Sequence, residues 1–106
     1  MYTALQQGVV DGAENNPPSF YLSRHYEVCR YYILNEHTAV PDVLLIGTPA
    51  WERLSEQEQA WLLEATEEAT AHQRKLWKQA EQEALEAVAA AGVTIIRPDK
   101  APFFDR

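Results

Sequence analysis

Glu14, Asn15 and Asn16 stand side by side between Asp11-Gly12 and Pro17-Pro18, and His37 follows in "LNEHT". An asparagine amide carries two donors and an acceptor, so Asn15 can bond either a carboxylate oxygen or a hydroxyl. An ionised Glu14 only accepts, which suits hydroxyls better than a carboxylate. His37 offers a weaker polar contact, directly or through water. Such a set recognises a small polar solute. To transform one, with Glu14 and His37 as acid and base, it would need a nucleophile or a metal. Neither is evident, because His25, His72 and Cys29 lack metal-ligand spacing. A structural reading competes: Glu14 and Asn15 satisfy turn backbone, and Asp11 and Asn16 are turn formers. His37, between Glu36 and Thr38, then makes an ordinary structural hydrogen bond.

Several elements must hold these residues. "MYTALQQG" reads as the end of a helix, with Gly8 just past its last turn. "VVDG" reads as a short strand ending in a turn, since Asp-Gly takes positive φ at little cost. Ligands of open α/β sheets gather at such strand ends. Pro17 and Pro18 forbid a continuing ladder and keep Asn16 extended, and nothing from Val9 to Phe20 reads as helical. A short helix follows from Ser19 or Ser23, with Phe20, Tyr21, Tyr26 and Val28 as buried candidates.

Two strands are expected at Tyr31–Thr38 and Val43–Ile46, the second buried on both faces because "VLLI" is unbroken. Thr48 caps a short helix with Pro49 at its first position. Ser55 and Glu58 fit a capping box that opens a long helix to Ala91, stopped by Gly92. Unbroken, that helix is on the order of 55 Å long. Trp61 and Trp77 on it need a partner beyond the residues upstream. "VTIIRPD" is a last strand and "KAPFFDR" the start of a further helix, so both ends of the chain look severed.

Composition narrows the class. With 106 residues, 46% of them apolar, and no low-complexity tract, the chain is globular. A net charge of −7 argues against nucleic acid or an anionic membrane surface as partner. Much of the acid lies in one place: eight Glu against Arg74, Lys75 and Lys78 between Ser55 and Ala91, a solvated helix face. The lone Cys29 excludes an intrachain disulfide and reads as core packing. No apolar run approaches the ~20 residues of a membrane span. No signal peptide opens the chain, as expected of a cytoplasmic protein or of a piece of something longer.

The ordered set "YTALQQGVVDGAENNPPSFYLSRHYEVCRYYILNEH", "VPDVLLIGTPAWERLSEQEQ" and "GVTIIRPD" resembles the C-terminal third of solute-binding proteins of the tripartite ATP-independent periplasmic (TRAP) transporters. The resemblance covers essentially the whole chain. "DGAENNPPS" with the later "NEH" is most similar to members that bind sugar acids such as glucuronate and galacturonate. It implies an α/β fold: part of a two-lobe periplasmic-binding-protein architecture with short strands, short helices and one long C-terminal helix. Residues 1–47 would form a ligand-side lobe segment, 48–92 the long helical segment, and 93–106 the final strand and a cut-off helix.

The resemblance also implies a periplasmic location, an organic-acid ligand, membrane permease subunits as partners, and neither cofactor nor catalysis. Ligand contact carries over to Asn15 first and Glu14 second, with His37 at the family's post-strand histidine. A carboxylate guest calls for the planar fork of an arginine. In the family that arginine lies upstream of this stretch, and Arg24 and Arg30 read as surface charges. A different reading makes the chain a helical interaction module that self-associates through the long helix. For the 106-residue chain alone, calorimetry is expected to show uronate binding no tighter than about millimolar. Micromolar binding would show that its own cations suffice.

Overall fold

The computed structural model describes residues 1–38 and 40–104. Its contacts divide the chain into two units, Met1–His37 with Lys78–Arg106, and Thr38–Trp77. No described helix is long and apolar enough to cross a membrane.

The first unit begins with α1 (Tyr2–Gln6) and contains α2 (Pro17–Leu22), a 3-10 turn (His25–Glu27) and β1 (Tyr31–Ile33). The helix named α4 (Glu56–Ala90) enters it near its carboxyl end, followed by β2 (Thr94–Ile96) and α5 (Ala101–Phe104). Two of these helices stop in the same way. Gly8, at φ +68°, donates to Leu5 O while Val9 donates to Ala4 O at 2.9 Å. Gly92, at φ +94°, donates to Ala89 O while Val93 donates to Val88 O at 3.0 Å. Both are Schellman endings, in which a glycine at positive φ satisfies carbonyls that the helix leaves open. At Gly92 the reversal also folds Val93 back on Val88, and these two residues with Phe20 form the buried core.

Tyr26, Cys29, Tyr32 and Ile95 pack around that core. β1 and β2 are parallel, with Tyr31, Tyr32 and Ile33 opposite Thr94, Ile95 and Ile96. Alternation along a strand sends Tyr32 and Ile95 to the core face and Tyr31 and Ile33 away from it. The ladder continues at its edges, where Thr94 donates to Arg30 O and Leu34 donates to Ile96 O, each at 2.9 Å. His25 is buried with its ring edge-on to Phe20, a core role its polarity hides in the sequence. Tyr2 donates to Glu27 Oε2 at 3.1 Å, and Arg24 pairs with the other oxygen of Glu27, tying α1 to the 3-10 turn.

The second unit holds α3 (Thr48–Trp51) and the amino-terminal part of α4. The Ser55–Glu58 capping box is present: the Ser55 hydroxyl and N–H donate to Glu58 Oε2 at 2.7 and 2.8 Å. These bonds, the hydroxyl's first, hold the Glu58 carboxyl below its ordinary pKa. Gln59 Nε2 donates to Trp51 O at 3.0 Å and fastens α3 to α4.

Six expectations need correction. "VVDG" is a bend rather than a strand, because the Val9 and Val10 amides turn back to Ala4 O and no described strand runs beside them. Pro17 and Pro18 open a helix, since a missing N–H costs nothing in a first turn. The first strand stops at Ile33, and Glu36 at φ +49° breaks the extended run. Val43–Ile46 is not a strand, and its side chains are 50 to 82% exposed. An apolar run needs a covering layer to become a buried strand, and none of the described residues supplies one. Of the residues named for the second helix, Phe20 is buried while Tyr21 is exposed and stacks on Tyr26. The α3 cap is Gly47 rather than Thr48, a shift of one position.

Beyond its chain neighbours, no atom of the described residues would crowd a methyl group at Gly92, so replacing it with alanine has chiefly a conformational cost. Gly92→Ala is expected to lower unfolding free energy by about 1–2 kcal/mol in urea titration. A loss below about 0.3 kcal/mol would mean that the Gly92 reversal does not hold this unit together.

Candidate functional site

The polar hook lies between the end of α1 and the start of α2. Asn16 is extended, at φ −76° and ψ 160°, and its Oδ1 accepts from Ser19 N–H at 2.8 Å. That is helix N-capping, so Asn16 has a structural task. Asn15, just before the cap, is half-buried. Its Oδ1 accepts from Asn16 N–H at 3.0 Å, and its carbonyl accepts from the Tyr32 hydroxyl at 2.7 Å. The Nδ2 of Asn15 has no protein acceptor among the described residues. Glu14 is exposed and makes no hydrogen bond or ion pair among them.

Tyr32 links this loop to β1. Its ring lies 4.7 Å from that of Phe20, centroid to centroid, at an interplanar angle of 35°. Burial first, and then the negative charges of Glu14 and Glu81, push its phenol up to about 12. It therefore stays a donor at any physiological pH.

His37 lies beyond the carboxyl end of β1, and its Nδ1 is 2.8 Å from Asn35 Oδ1. Between them Glu36, in the left-handed region, pairs with Lys100, which follows β2. The Lys100 bond and charge hold the Glu36 carboxyl below its usual range. Past the strand ends is where α/β sheets collect ligands. Among the described residues no hydrogen bond or ion pair joins His37 to Glu14 or Asn15. The structure thus bonds Asn15 to Tyr32 and His37 to Asn35, and gives Glu14 no partner among the described residues.

Sequence reasoning missed Tyr32 and the capping task of Asn16. The second had a signal: an Asn followed by Pro at the first helical position is a helix start. Tyr32 offered only the weak hint that a half-buried tyrosine seeks an acceptor.

The whole chain, residues 1–106, matches the model of the bacterial extracellular solute-binding protein family 7. A solute-binding protein of Chromohalobacter salexigens is 43% identical over 99 residues, which are 93% of this chain and 30% of that protein. A TRAP periplasmic solute-binding protein from Chromohalobacter salexigens, solved with bound D-glucuronate, superposes with a TM-score of 0.87 at 41% identity, covering 99% of this chain and 38% of the other. Another from a Bradyrhizobium species, in complex with D-galacturonate, gives a TM-score of 0.81 at 42% identity over 99% of this chain and 35% of its own. The chain belongs to the bacterial extracellular solute-binding protein family 7. It spans about a third of the length of these relatives. The α/β architecture expected from the sequence, short strands, short helices and one long helix from a two-lobe periplasmic binding fold, is borne out, and its two strands pair in parallel.

The two asparagines divide into different tasks. Asn16→Ala is expected to cost about 1 kcal/mol of stability through the lost cap. Asn15→Ala should cost less than half of that in the same urea titration. The reverse order would contradict the assignment of the cap to Asn16.

Proposed function

We propose that this chain is part of the solute-binding component of a TRAP transporter, which captures a uronate such as glucuronate or galacturonate in the periplasm. It hands the acid unchanged to membrane permease subunits, with neither catalysis nor cofactor. The observation that carries this reading is the likeness, along the whole chain, to a relative solved with D-glucuronate at 41% identity. Residues 1–106 would be the C-terminal part of the two-lobe protein, contributing some of the site's contacts.

The chemistry of the hook fits such a guest. The Asn15 Nδ2 donates to a carboxylate or hydroxyl oxygen, and Glu14 accepts from sugar hydroxyls. His37, past the end of β1, adds a contact through its ring or a bridging water. The cation that neutralises the uronate is expected outside this stretch, as the family resemblance implies; within it, Arg24 is engaged with Glu27 and Lys100 with Glu36. A hydrogen bond to a charged group is worth about 1.5–3 kcal/mol, or roughly 10- to 100-fold in affinity.

Calorimetry of D-glucuronate binding to the complete natural polypeptide that contains this chain tests the reading. Asn15→Ala should weaken the dissociation constant about 10- to 100-fold. An unchanged constant would remove Asn15 from the site, and no binding by the natural protein would remove the uronate.

A further inference from the structure

We infer that Tyr32 is a positioning residue for the proposed uronate site: its hydroxyl clamps the Asn15–Asn16 peptide group so that Asn15 presents the NH2 end of its amide to the guest. The inference rests on the functional reading above and makes it more specific. Three observations support it.

The first is that one peptide plane is held from both sides. The Tyr32 hydroxyl donates to its carbonyl, that of Asn15, at 2.7 Å, and its N–H, that of Asn16, donates to Asn15 Oδ1 at 3.0 Å. Among the described residues, the Tyr32 bond is the only hydrogen bond from segment 11–16 to a strand. Rotating that plane would break both bonds. With one lone pair of Oδ1 taken by the Asn16 N–H, the Asn15 amide has two Nδ2 hydrogens and a single acceptor site left, so it offers mainly donors.

The second is that Tyr32 is itself immobilised. Its backbone sits opposite Ile95 in the parallel ladder, and its ring packs on Phe20 in the core. A site held by a rigid element keeps its geometry better than one held by its own loop. The third is chemical. Burial and the nearby carboxylates push the phenol up to about 12, so the clamp does not titrate in the range where a transporter works.

The consequence is specificity by donor placement. A site preset to donate favours guests with acceptor oxygens, carboxylate or hydroxyl, at that point. It disfavours analogues that carry a donor-only group there, because an amide NH2 facing another donor leaves both unsatisfied.

Tyr32→Phe removes the hydroxyl and keeps the ring on Phe20. In the complete natural polypeptide, this variant should bind D-glucuronate about 5- to 10-fold more weakly than wild type. In an Asn15→Ala background the same substitution should change affinity less than about twofold, since the two residues act as one unit. An unchanged dissociation constant, or the same loss in both backgrounds, would overturn the inference and leave Tyr32 a structural role only. NMR of the ligand-free protein gives a reading that needs no binding. The Asn15 side-chain amide should be ordered in wild type and averaged in Tyr32→Phe. Averaging in wild type, or order in both, would overturn the clamp. If the wild type binds no uronate, the functional reading falls while the NMR comparison still decides the clamp.

Discussion

The first unit depends on how the chain leaves α4. Gly92 reverses it at φ +94°, which places Val93 on Val88 and starts β2 alongside β1. Phe20, Val88 and Val93 are the buried members of the hydrophobic cluster. At about 1.5–3 kcal/mol for each fully buried side chain, that core is small against the entropy of ordering the unit. Only with β2 in place does β1 acquire a register, and only that register turns Tyr32 inward rather than Tyr31.

From the inward tyrosine the polar chemistry follows. Neighbouring asparagines of the same type do different things because the backbone treats them differently. Asn16 spends its oxygen on Ser19 N–H and starts α2. Asn15 has its carbonyl held by Tyr32 and its side-chain oxygen by the next amide, and its Nδ2 has no protein acceptor among the described residues. Glu14 projects without a partner among the described residues, beside a phenol that also feels Glu81.

What could be read in the sequence was local. Gly8, the Ser55–Glu58 box and Gly92 mark helix ends by backbone chemistry that needs no tertiary partner, and all three are where they were expected. A strand within "VTIIRPD" and a helix start within "KAPFFDR" were legible from residue type, and they are Thr94–Ile96 and Ala101–Phe104. What failed was long-range. "VVDG" has strand-forming residues but no neighbour to pair with, and Val43–Ile46 has the composition of a buried strand without a covering layer. Asn-Pro-Pro was read as a barrier to regular structure, although the same three residues cap and open a helix. For the site, residue types marked Glu14 and Asn15 as a polar hook. The hydroxyl that holds it lies 17 positions away, and no spacing rule connects the two.

A crystal structure of the complete natural polypeptide with D-glucuronate tests the central claim most directly. The account places the Asn15 Nδ2 within about 3 Å of a uronate oxygen, with the Tyr32 hydroxyl still on the Asn15 carbonyl. A uronate bound with the Asn15 amide turned away, or bound at a surface that leaves this loop untouched, would contradict it.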